Sequence, residues 1–122
     1  MLKDYPVTAT IAVKDKAKGK QFYSEVLGLE LVSEDPILVY KSGDTKLYVY
    51  DSPTGGTGQA SVATWNVDNL EDVVKELTGK GVEFEHYDLG GGKPDSPIHD
   101  NGSSKAAWFK DPDGNTIALV SM

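Results

Sequence analysis

The chain reads as one pattern written twice. Val7 to Val13 alternates as Val-Thr-Ala-Thr-Ile-Ala-Val, a strand with Ile11 and Val13 on one face and Thr8, Thr10 and Ala12 on the other. Asp15 opens a helical stretch from Lys16 to Leu27, where Phe22, Tyr23, Val26 and Leu27 fall at helical spacing and Gly28 supplies the stop. Leu29 to Glu34, Ile37 to Ser42 and Thr45 to Asp51 follow as strands, broken by Asp35-Pro36 and by the hairpin signal Gly43-Asp44. After Ser52 to Gly58 the order begins again: a strand from Ser61 to Val67, a helix capped by Asn69 and running through Leu77, Gly79 and Gly81 as its end, and a strand from Val82 to Tyr87. Thr10-Ile11-Ala12-Val13 lies over Thr64-Trp65-Asn66-Val67, and Thr45 to Val49 matches Thr116 to Leu119 with a small slip. Such a repeat of about half the chain makes each half one βαβββ unit. The expectation is an α+β fold in which two βαβββ repeats form a curved mixed sheet with a concave cup, the helices lying on the outer face. It is a single domain over residues 1–122, with modules 1–51 and 59–122 and a Gly-rich linker at 52–58.

The second unit closes with a hairpin around Asp111-Pro112-Asp113-Gly114, where Pro112 presets φ and Gly114 can take the positive φ that completes the turn. In its last arm Ile117 and Leu119 alternate with Thr116, Ala118 and Val120. Extended over the sheet, this alternation puts Ile11, Val13, Trp65, Val67, Ile117 and Leu119 under the helices. Thr8, Thr10, Val62, Thr64, Asn66, Thr116 and Ala118 then face the concave side, a set that is small, neutral and mildly polar. Tyr48, Tyr50 and Trp108 join them in lining an apolar cup with a few hydroxyls and one amide, a composition suited to a small molecule. The candidate ligand-binding residues are therefore Thr8, Thr10, Tyr48, Tyr50, Val62, Thr64, Asn66, Trp108 and Ala118. The same aromatics would serve equally well as core filler.

Composition removes several function classes. The chain has no cysteine, which excludes disulfides, thiolate metal sites and cysteine nucleophiles. A formal charge of -7 repels phosphate backbones and anionic lipid, so no nucleic-acid or membrane partner is expected. No N-terminal apolar stretch approaches the length of a signal h-region or a membrane span, which leads to the expectation of a soluble, cytoplasmic protein. Gly90-Gly91-Gly92-Lys93 lacks the spacing of a phosphate-binding loop.

The repeat, the Phe22-Tyr23 pair leading into Leu27-Gly28-Leu29, the Asn-Val-Asp-Asn-Leu of Asn66 to Leu70 and the Phe-Lys-Asp-Pro-Asp-Gly-Asn of Phe109 to Asn115 together resemble the vicinal oxygen chelate superfamily. That group includes glyoxalase I, extradiol dioxygenases, and fosfomycin- and bleomycin-resistance proteins. In its metal-using members, ligands project into the cup from the first and last strand of each half. The resemblance places those positions on Thr8, Tyr48, Val62 and Ala118, none of which is a usual ligand, so no metal or other cofactor is expected. His86 and His99 read as surface residues. Leu89 to Ser103 reads as a long loop, either a flexible lid over the cup or a mobile surface loop.

Two function classes follow. One is a metal-free binding protein of the bleomycin-resistance type that sequesters a small cationic or aromatic compound, as in antibiotic resistance. The other is an enzyme of the lactoylglutathione lyase, isomerase or dioxygenase type, using displaced metal ligands or Tyr48 or Tyr50 as acid. A vestigial cup serving as an interaction module is a third reading. The resemblance also implies a homodimer.

Overall fold

The computed structural model of the chain describes residues 1–86 and 96–121. Among these residues the elements run β1 (Ala9–Val13), α1 (Lys16–Gln21), β2 (Glu30–Ser33), β3 (Leu38–Ser42), β4 (Thr45–Asp51), β5 (Ser61–Asn66), α2 (Leu70–Gly79), β6 (His99–Asp100), β7 (Lys105–Lys110) and β8 (Thr116–Ser121). The strands form two four-stranded sheets of the same plan, β1-β4-β3-β2 and β5-β8-β7-β6. In each, the first strand runs parallel to the last while the remaining neighbours are antiparallel. The repeat seen in the sequence is thus a repeat of topology, strand for strand, in an α+β fold of two βαβββ units. β1 and β5 lie side by side, so the sheets meet along their first strands.

Local chemistry sets the helix starts. Asp15 accepts from the Lys18 N–H at 3.1 Å and Asn69 from the Asp72 N–H at 3.2 Å, each satisfying a donor that the first turn leaves open. The first helix departs from the regular expectation: beyond Gln21 it widens into a π-helical turn, Phe22–Val26, with the Leu27 N–H on the Phe22 carbonyl at 3.0 Å.

The second unit departs further. The strand expected from Val82 to Tyr87 is reduced, over its described residues, to one bridge between Phe84 and Phe109, with the Glu85 N–H on the Trp108 carbonyl at 2.8 Å. The ring of Phe84 packs on that of Phe109 with centroids 5.5 Å apart, which holds the segment there without a ladder. The partner of β7 is instead β6, inside the stretch read as a loop. A tight turn explains it: the Ser103 and Ser104 N–H groups both donate to Asn101 Oδ1, at 3.0 and 2.9 Å, folding His99–Asp100 back on β7. The rest of the expected lid, residues 89–95, lies outside the described residues.

The core lies between the sheets and the helices. Ile11, Val13, Leu38, Tyr40, Leu47 and Val49 of the first sheet, and Ala107, Phe109, Ile117 and Leu119 of the second, are buried together with Tyr23, Leu70, Val74 and Leu77. The strand residues among them lie on the face that parity puts under the helices, where Trp65 and Val67 are half-buried. Each large side chain so buried contributes about 1.5–3 kcal/mol, which makes this layer the main drive to fold.

Polar groups tie the halves together. The Asp111 carboxylate is buried and accepts from Tyr23 Oη at 2.8 Å, Asn115 Nδ2 at 2.9 Å, and the N–H groups of Asp113 and Asn115 at 3.0 and 2.9 Å. Asn115 Nδ2 also donates to the Ala12 carbonyl at 2.7 Å, and the Asp15 N–H donates to Asp113 Oδ2 at 3.3 Å. The closing hairpin, with Gly114 at φ +99°, is therefore a clasp joining the second unit to β1 and α1. Trp65 Nε1 adds a second tie, donating to Ser42 Oγ of β3 at 2.9 Å. Burial, and after it the charge of Asp111, push the Tyr23 phenol well above its ordinary pKa.

The segment between the halves packs into this clasp. A Cβ on Gly55 would stand 2.6 Å from the carbonyl carbon of Val13, and one on Gly56, whose φ is +76°, would stand 1.8 Å from the Asp113 carbonyl oxygen. Gly-rich composition here serves close approach of backbones as well as turning.

Candidate functional site

Strand register assembles the open faces, those turned away from the helices. In the first sheet Thr10 pairs with Tyr48, Ala12 with Tyr50, and Val39 with Tyr48 across the next ladder. In the second, Thr64 and Trp108 both pair with Ala118, while Asn66 and Ala106 both pair with Val120. Parity puts Thr10, Tyr48 and Tyr50 on one open face and Thr64, Asn66, Trp108 and Ala118 on the other, with the β1–β5 seam between them.

The residues differ in what covers them. Thr10, Thr64 and Asn66 are exposed, as are Tyr50 and Val62 at 38% each. Thr8, Tyr48 and Trp108 are half-buried, whereas Ala118 and its neighbour Thr116 are buried. Thr8, Val62 and Thr64 come together in one concavity of about 450 Å³ at the seam, which Val7, Ala9, Lys46 and Ser61 help to line. Thr10, Tyr48, Tyr50, Asn66, Trp108 and Ala118 do not border that hollow.

The donors present do not fit a divalent ion. At the four positions that the resemblance assigns to metal ligands, Thr8, Tyr48, Val62 and Ala118 offer hydroxyls and hydrocarbon instead of imidazole or carboxylate. Among the described residues no group of three or more His, Asp or Glu side chains stands close enough to hold a metal ion. Asp111, the buried carboxylate, has its oxygens engaged by the clasp.

Two features escaped the sequence reading. His99, read as a surface loop residue, sits in β6 opposite Ala106, and its ring meets that of Trp108 edge-on at 5.4 Å. Pro97-Ile98-His99-Asp100 holds a single apolar-to-polar step, too little alternation to register as a strand. The second is an apolar cavity of about 160 Å³ on the helix side, where Val26, Leu27 and Leu29 of the first unit face Trp65, Val73 and Leu77 of the second.

Comparison with known proteins agrees with this architecture. Among the described residues no helix is long and apolar enough to cross a membrane. A search of curated proteins finds no match. Among solved structures the chain is similar to TnmS3, an antibiotic binding protein from Streptomyces sp. CB03234, at 26% identity and a TM-score of 0.69, with 96% of this chain and 94% of that one covered. It is similar to a glyoxalase/bleomycin resistance protein from the same Streptomyces at 27% identity and a TM-score of 0.65, covering 92% and 96%. A lactoylglutathione lyase from Agrobacterium tumefaciens shares the fold, with a TM-score of 0.73 at 17% identity over 96% and 92%. The family model of the Glyoxalase/Bleomycin resistance protein/Dioxygenase superfamily matches residues 6–119, and the chain belongs to that superfamily.

Proposed function

We propose that the protein binds and sequesters a small cationic or aromatic compound on the open faces of its sheets, without a metal ion. The observation that carries this reading is the open face itself. It carries the hydroxyls of Thr8, Thr10 and Thr64, the Asn66 amide and the rings of Tyr48, Tyr50 and Trp108, and the positions that the resemblance assigns to metal ligands fall on Thr8, Tyr48, Val62 and Ala118. Aromatic rings with a few polar groups bind small organic molecules through contact area and orienting hydrogen bonds. The charge of -7 favours cationic guests over anionic ones. The likeness to an antibiotic binding protein at 26% identity supports the same class.

A thermal-shift screen against antibiotics, thiol conjugates and divalent metals tests the proposal, because a ligand that binds only the folded form raises the melting temperature. At least one organic compound is expected to raise it by several degrees. Tyr48→Ala and Trp108→Ala are expected to abolish that shift while leaving the proteins folded. A full shift retained in both variants would move the site elsewhere. Stoichiometric Ni, Zn, Fe or Mn that a chelator removes, together with turnover of a hemithioacetal or catechol, would replace the binding protein with an enzyme.

The proposal keeps the cytoplasmic location expected from the sequence and adds a homodimer. The dimer is supported by the exposed apolar segment ahead of β1, where Met1, Leu2, Tyr5 and Val7 are 90%, 80%, 67% and 92% accessible. Light scattering at micromolar concentration is expected to return twice the mass of one chain, and a monomer would remove this part of the reading.

A further inference from the structure

We infer that the apolar cavity on the helix side is a second binding site, separate from the open faces, and that its ligand is a neutral aromatic molecule of a single ring.

The cavity, about 160 Å³, lies between the two units, with Val26, Leu27 and Leu29 on one side and Trp65, Val73 and Leu77 on the other. Hydrogen bonds fix both walls. The Leu27 N–H donates to the Phe22 carbonyl and the Leu29 N–H to the Tyr23 carbonyl, each at 3.0 Å, and Trp65 Nε1 donates to Ser42 Oγ at 2.9 Å. A hole in a core forfeits contacts, so the surroundings relax into it wherever they can. Here the backbone bonds and the indole tie hold the walls in place. The space is therefore preformed, and a guest that enters it breaks nothing. The wall from the first unit also stands at the end of the π-helical turn, a departure from regular helix that recurs at functional sites.

Size and lining define the guest. A cavity of about 150 Å³ walled by aliphatic and phenyl groups stays dry and admits benzene. The Trp65 N–H is already engaged, and the ionised residues of the lining, Glu76 and Lys80, are exposed and pair with each other at 4.0 Å along α2. The other lining side chains are hydrocarbon, so a charged ring would shed its hydration among them without a partner. A neutral ring gains contact with both walls and can meet the Trp65 indole edge to face.

The chain's two tryptophans separate this site from the open face, Trp65 lining the cavity and Trp108 lying on the other side of the sheets. Fluorine NMR of the full chain labelled with 5-fluorotryptophan reads both, with the lines assigned through Trp108→Phe. Saturating benzene is expected to move the Trp65 line by more than its width, whether or not the Trp108 line moves, and to raise the melting temperature by several degrees. Sodium benzoate at the same concentration should leave the Trp65 line in place. Val73→Phe, which fills the cavity, should melt at the same or a higher temperature and lose the Trp65 response. A shift confined to Trp108, or none in either line, overturns the inference, and the first of these results leaves the open face standing as a site. An equal response to benzoate overturns it as well, as does a folded Val73→Phe whose Trp65 line still moves. Should that variant fail to fold, the wild-type spectra with the two probes decide alone.

Discussion

Replacing Asp111 with alanine is expected to lower the unfolding free energy by about 3 kcal/mol or more. The substitution strands four donors at once: the Tyr23 hydroxyl, the Asn115 amide and two backbone N–H groups that converge on one buried carboxylate. A buried donor left without a partner costs about 1–3 kcal/mol, and partial relaxation of the loop is what keeps the total below the sum. Urea unfolding measures it as a lower midpoint at an unchanged slope. A loss under about 1 kcal/mol would show that the hairpin is merely a turn. Tyr23→Phe removes one of the four bonds and should cost about 1–2 kcal/mol. It also carries a pH signature. Because the Tyr23 phenol has its pKa raised in the fold, its contribution is fully present below the ordinary tyrosine value near 10 and is lost as pH climbs beyond it. Tyr40 is shifted the same way, first by burial, so alkaline destabilisation should become shallower in Tyr23→Phe without vanishing.

Gly56→Ala is expected to cost about 3 kcal/mol or more. Two effects add. Alanine at φ +76° pays roughly 1–2 kcal/mol for a left-handed backbone, and its methyl would overlap the Asp113 carbonyl oxygen, an atom of the clasp that cannot rotate aside. Gly58→Ala is the control, since a Cβ there meets nothing within 4 Å. It should be neutral or slightly stabilising through the unfolded chain. Thermal unfolding compares them directly, and equal melting temperatures would mean that the segment yields without resistance.

The sequence carried the fold because its signals are local and periodic. The alternation of Ile11 and Val13 with Thr10 and Ala12, the caps at Asp15 and Asn69, and the duplicated order of elements each depend on a few neighbouring residues. The second strand of the second unit was not legible, since two residues hold too little alternation to register and its position depends on a turn around Asn101. The clasp was hidden for another reason: Tyr23 and Asp111 stand 88 positions apart, and nothing in a one-dimensional pattern pairs them. Of the candidate site, parity gave the face on which each residue lies. Which of them share a hollow, and that Ala118 lies buried while Asn66 is open, depend on how two sheets meet across a seam.

That seam has a mechanical meaning. The Tyr23–Asp111 and Trp65–Ser42 links bolt the two halves at their backs, and Asn115 fixes the end of β1, whereas β1 and β5 run alongside each other with no ladder among the described residues. The arrangement is that of a book held at the spine. On the proposed reading, a change at Asp111 would alter the gape between the pages, and so the grip on a guest, from a distance.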